Sequence, residues 1–163
     1  AALGEVRANL ALGRLRAGDP AGALAGLREA AEAGADGPEL HLGMAEALAA
    51  LGREAEAAAA YRQALDARPD WILAANNLAW LLVTAEDPDT RDPEEAVRWA
   101  ERAASDSQRQ DAHVLDTLVI AYEALGRIDD ARRTLEEALA LLAAHPDEAL
   151  EASLREHPAR LDP

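Results

Sequence analysis

The chain contains no cysteine, no phenylalanine and no lysine. Without cysteine there is no disulfide framework and no thiolate to serve as nucleophile or soft metal ligand, and the redox compartment is left open. Without phenylalanine, and with aromatic residues at only 3%, the interior has to be assembled mainly from Ala and Leu. Both are strong helix formers, and alanine lets helices approach closely. No alternating β-branched run supports a strand, so the expected fold class is all-α. No apolar stretch reaches the roughly 20 residues of a membrane span, which excludes direct membrane insertion by a helix. No signal-peptide pattern opens the chain at Ala1. With no initiator methionine there, an excised piece of a longer protein is expected.

Basic residues are scarce as well as uniform. Sixteen arginines face 31 acidic residues, for a net charge of −15 and a pI near 4.5. A nucleic-acid binder needs a basic face to displace counterions from phosphates, and this chain carries the opposite field. Anionic membrane surfaces are disfavoured for the same reason. A neutral or basic protein segment is the partner such a field admits, and a basic one would be steered toward it. The lysine-free, Ala- and Arg-rich usage reads as GC-rich coding rather than selection against lysine. With 50% apolar and 29% charged residues, the chain has enough of each for a packed core and a soluble surface.

Side chains that carry chemistry are dispersed. His41, His113, His145 and His157 fall in no HExxH helix and beside no cysteine, so no metal is expected. The glycines sit at helix ends and form no phosphate-cradling loop, so no cofactor is expected either. Carboxylate pairs such as Glu54/Glu56 and Asp129/Asp130 read as solvated helix faces and helix starts. Ser105, Ser107 and Ser153 have no base at a useful spacing. The chain reads as a non-enzyme.

What is present is a repeat. Gly18 and Gly52, and likewise Ala23 and Ala57, stand 34 residues apart. A third copy of the pair is Gly126 and Ala131, and a further second half surrounds Ala96. Each copy reads as a helical hairpin. Pro38 starts a first helix (A) where its missing N–H does no harm. Gly52 ends that helix, and a second (B) runs from about Glu54 to Ala67 before Pro69. Ala45 and Ala57 are small because the two helices cross there. The third copy departs from the rule: Ala79 and Ala96 are 17 residues apart, against 12 for Ala45 and Ala57. Its A–B turn is therefore about five residues longer, through the polar stretch from Thr84 to Pro93. Near the C-terminus Asp147 can cap a short amphipathic helix with Leu150 and Leu154 on one face, suited to covering the last apolar surface of a repeat array.

Met44, Ala45, Leu48, Gly52, Ala57, Tyr61, Ala64 and Pro69 follow one another in the order of the tetratricopeptide-repeat (TPR) pattern. Leu118, Val119, Tyr122, Gly126, Ala131, Leu135 and Ala138 repeat it, and Leu10, Ala11, Gly18, Ala23, Leu27 and Ala30 do so with Arg14 in the usual aromatic place. The chain resembles a TPR domain over about residues 4–145, and the segment with the long turn resembles a variant found in bacterial TPR proteins. The resemblance implies a right-handed α-α superhelix of four hairpins (about 4–37, 38–71, 72–111 and 112–145) plus a capping helix at about 147–157, forming one domain. It further implies a protein-interaction module that holds a peptide or protein segment along its A helices.

The family pattern also places groove positions. Asn9, Gly43, Asn77 and Thr117 form one row; Leu12, Glu46, Trp80 and Ile120 lie one turn away; Ala8, Leu42, Asn76 and Asp116 lie one residue before the first row. The expected groove residues are Asn9, Glu46, Asn76, Asn77, Trp80, His113, Asp116, Thr117 and Ile120, with Glu123 at the rim. Asparagine in the first row holds a ligand backbone through an amide that both donates and accepts. The carboxylate-clamp subclass grips a free C-terminal carboxylate with Lys and Arg; its matching places here are Ala8, Asn9, Gly43, Leu73 and Asn77, with both basic partners missing, which argues that mode out. Trp71 is expected at the seam between the second and third repeats, Tyr61 and Tyr122 in the core, and Trp99 on a B helix whose face is unassigned. Two other roles stay open. One is a spacer or self-assembling segment joined through the uncapped Ala/Leu face at the N-terminus, and the other is the accessory tail of a larger bacterial enzyme.

Overall fold

A computed structural model describes residues 2–157. Among them are nine α-helices and no strand: α1 (Ala2–Arg16), α2 (Pro20–Glu32), α3 (Pro38–Ala50), α4 (Glu54–Ala67), α5 (Ile72–Thr84), α6 (Pro93–Asp106), α7 (Ala112–Ala124), α8 (Ile128–Ala144) and α9 (Glu148–Glu156). The boundaries follow local chemistry. Pro20, Pro38 and Pro93 each open a helix in its first turn, where the missing N–H has no intrahelical role. The carboxylates of Asp19, Asp92, Asp111 and Asp147 accept hydrogen bonds from the otherwise unpaired N–H groups of the first turns of α2, α6, α7 and α9. Gly52, with φ +70°, takes the left-handed step that ends α3, and Gly18 and Gly126 do the same after α1 and α7. No helix among the described residues is long and apolar enough to cross a membrane.

The described chain divides into two compact units. The first comprises residues 2–74 together with 85–90. Within it α1 packs on α2, α2 on α3, and α3 on α4. The crossings are close because small residues meet there: a Cβ added to Gly26 would stand 2.9 Å from the Cβ of Ala11. Ala23, Ala45 and Ala57 are fully buried, and Leu24, Leu27, Leu48, Tyr61 and Leu65 fill the space around them. The second unit comprises residues 75–84 and 91–157. There α6 packs on α7, α7 on α8, and α9 against both α8 and α7. Leu78, Leu82, Leu115, Leu118, Val119 and Leu154 form its fully buried interior.

Two details go beyond the expected packing. Tyr122 is buried as expected, but its hydroxyl also donates to Glu101 Oε1 at 2.8 Å, while Arg127 stacks over the ring at 4.4 Å and donates to the same carboxylate oxygen at 3.1 Å. Burial, reinforced by the hydrogen bond to Glu101, pushes the phenol up to about 12. The long A–B turn is the second. Glu54, expected on a solvated helix face, instead accepts through its two carboxylate oxygens from the backbone N–H groups of Glu86 and Asp87, each at 3.0 Å. Asp87 in turn accepts from the Thr90 hydroxyl at 2.9 Å and from the Asp89 N–H at 3.0 Å. Ala85 and Thr90 are buried beneath the turn. The turn is built, and the extra residues have a fixed course.

Candidate interaction site

In the second unit, α5, α7 and α9 surround a cleft of about 250 Å³ lined by Trp80, Thr84, Ile120, Ser153, Glu156 and His157. Trp80 and Ile120 belong to the expected groove row, and the structure brings them together here. Trp80 is 45% exposed, an unusual state for the largest apolar side chain, while Ile120 is half-buried. Thr84 donates its hydroxyl proton to the Trp80 carbonyl at 2.8 Å, which commits that proton within α5. Asn76 and Asn77, on the same helix, are half-buried. The Asn76 Oδ1 is out of contact with solvent and has no hydrogen-bond partner.

The remaining expected residues of α7 have other occupations. Thr117 is buried and donates to the His113 carbonyl of its own helix at 3.3 Å. His113 is exposed and lies 3.4 Å from Asp147, the residue that caps α9. The Asp147 carboxyl is held below the ordinary carboxylate value, first by the Leu150 N–H, then by the Ala149 N–H and by His113. Asp116 is covered: its Oδ1 lies 3.1 Å from His157 Nε2, and His157 Nδ1 lies 3.1 Å from Glu123 Oε2. The ring nitrogens face opposite carboxylates, so lone pairs do not converge on a point as metal ligands must. Among the described residues no group of His, Cys, Asp or Glu could hold a metal ion.

The contribution of α9 to the cleft escaped the reading of the sequence, although a signal exists. His157 follows Glu123 by 34 residues, which is one full repeat. Continuing the period once more makes α9 the A helix of an incomplete fifth repeat, and its residues then face α7 as one A helix faces the next.

A second hollow, about 490 Å³, lies wholly within the first unit and is lined by Leu12, Leu15, Arg16, Glu39, Leu42, Gly43, Glu46, Trp71 and Leu73. Here the expected Glu46 stands on an apolar floor. Burial raises its carboxyl above the ordinary value, and the charge of Arg16 partly restores it. Gly43 stands where asparagine would bind a ligand, and it is occupied by packing: a Cβ there would collide with Leu12 Cδ2. Trp71, expected at the seam between the second and third repeats, is one of the residues lining this hollow. Arg68 stacks 4.4 Å above its ring and pairs with Glu39 at 2.5 Å, holding the indole in place. Asn9 is exposed on α1. Trp99 lies in a shallow depression of α6 with Glu95, Arg98 and Arg102, its Nε1 donating to Glu95 at 3.1 Å.

Serial antiparallel helix pairs with alanine and glycine at the crossings define the class, a helical-repeat protein. The tetratricopeptide-repeat family model matches residues 14–81. The fold of the chain is that of TPR solenoids of known structure. MamA of Desulfovibrio magneticus RS-1 is similar at a TM-score of 0.73 and 21% identity, over 97% of this chain and 92% of that one. A MamA structure designated AMB-1 gives 0.76 and 19%, over 95% and 87%. A thermophilic TPR protein in Thermus thermophilus gives 0.70 and 21%, over 94% and 80%. At these identities the likeness concerns the fold. Sequence comparison with curated proteins finds no match.

Proposed function

We propose that this chain is a protein-interaction module that holds a segment of a partner protein across α5 and α7 of its second unit, with Trp80 as the anchor. The observation that carries this reading is the partly exposed Trp80 in its cleft with Ile120. A large, rigid aromatic beside amides is the composition of a binding hot spot. Asn77 supplies an amide for the partner's backbone. Asn76 adds a buried acceptor whose unpaired state costs about 1–3 kcal/mol until a donor reaches it. Glu156 at the cleft and the net charge of −15 favour a neutral or basic segment. His113 borders this surface. Asp116 and Thr117 support it from beneath; Asn9 and Glu46 belong to the first unit.

The test is selection of peptides from a random library on the wild-type chain, followed by affinity measurement on the Asn77→Ala/Trp80→Ala variant. Helicity by circular dichroism should be unchanged. Loss of a Trp-centred hot spot should cost about 2 kcal/mol or more, roughly a thirtyfold weakening. Selected peptides that bind the variant as tightly as the wild type would sink the proposal, as would a selection that enriches nothing.

A second reading, self-association, draws on α1. Leu3, Val6 and Leu10 recur at helical spacing on that helix and are 60%, 65% and 65% exposed. If this face joins copies of the chain, light scattering should show the mass rising with concentration, and Val6→Glu should abolish the rise. A wild-type mass that stays at one chain throughout would remove this reading.

A further inference from the structure

The imidazole of His157 is 3% exposed and has an ionisable carboxyl group 3.1 Å from each nitrogen. A neutral imidazole donates from one nitrogen only, and an ionised carboxylate has no proton to give. With Asp116 and Glu123 both ionised, both ring nitrogens must therefore carry protons. The helix this ring belongs to needs such a tie. At nine residues, α9 is too short to persist alone in water. Among the described residues its other holds include packing against α8, the buried side chains of Leu150 and Leu154, and the His113–Asp147 contact. The same helix supplies Ser153, Glu156 and His157 to the cleft of Trp80.

We propose that His157 is a protonation-dependent latch: as an imidazolium it fastens α9 to α7 and so sets one wall of the Trp80 cleft, and on losing its proton it lets α9 detach. The groups acting on the ring are Asp116 and Glu123 of α7. From its own helix Glu156 lines the same cleft, and the α5 residues there, Trp80 and Thr84, are uncharged. The hydrogen bond to Asp116 is the largest influence and raises the ring above the ordinary 6.5; burial opposes it, and the charge of Glu123 adds to it. A group raised on folding contributes stability that is complete below its unfolded value and is lost as pH rises through its folded value. The latch therefore opens on the alkaline side, and the chain without any peptide suffices to show it.

The experiment uses the chain with Trp71→Phe and Trp99→Phe, which leaves Trp80 as the reporter. Acrylamide serves as quencher because it is neutral and insensitive to the chain's charge. Trp80 should become more accessible as pH rises. The midpoint should equal that of His157 read by NMR in the wild-type chain, identified by the resonance missing from His157→Gln and lying above 6.5. In His157→Gln, Trp80 should be accessible at every pH, with the dependence lost. In Asp116→Asn the His157 midpoint should fall. A His157 midpoint at or below 6.5 overturns the proposal. So does Trp80 accessibility that is flat through the His157 titration, or a pH response that survives in His157→Gln.

Discussion

Leu118→Ala is expected to lower the stability of the second unit by about 2–5 kcal/mol, toward the upper part of that range. Leu118 is fully buried in α7, with Leu115 and Val119 of the same helix fully buried beside it. Removing buried methyl groups costs their transfer free energy and leaves a cavity whose penalty depends on how far neighbours can relax into it. Alanine neighbours have no side-chain torsion with which to fill space. Ala79, Ala100, Ala104, Ala121 and Ala138, all fully buried in this unit, make its interior stiff in that sense. Repeat proteins need not unfold as a single cooperative block, so amide hydrogen exchange of α7 and α8 should accompany urea unfolding followed by circular dichroism. A loss below about 1 kcal/mol would mean that this core repacks more freely than its composition allows.

The complementary substitution adds volume. Ala57→Leu should cost about 1–3 kcal/mol, because the extra carbons must push α3 and α4 apart or adopt strained rotamers. Ala57 and Ala45 are both fully buried, on helices that pack against each other. Ala59, exposed on the same helix, supplies the control: Ala59→Leu should stay within about 0.5 kcal/mol of wild type. Urea midpoints of the two variants make the comparison. Equal midpoints would show that the small residue at position 57 is not required by the helix crossing.

The fold was legible because its rules are local and repeated. Pro38 and Gly52 mark the two ends of α3 whatever α3 touches, and the 34-residue recurrence of Ala23 at Ala57 says which face is crossed. The pairing of Trp80 with Ile120 was legible for the same reason, as both hold one repeat position in successive A helices. What periodicity cannot reveal is which polar side chains meet. Glu54 looked like any acid at a helix start, and only the three-dimensional path of the turn brings Glu86 and Asp87 to it. The position of Trp71 between repeats was legible, but not that Arg68 stacks on its indole while pairing with Glu39. His157 meets Asp116 across 41 residues of sequence, and its role depends on α9 being an A helix rather than only a lid.

The grip of Glu54 on the long turn also orders events in time. The carboxylate lies 32 and 33 residues ahead of the amides it receives, so this contact closes a long loop, whereas the contacts within the α3–α4 hairpin are local. Loop closure must precede any gain from such a contact, and local structure forms faster. During folding, the bonds from the Glu86 and Asp87 N–H groups to Glu54 cannot form until the first turn of α4 exists. The turn is therefore a late event that follows α4, even though it lies directly between α5 and α6 in the chain.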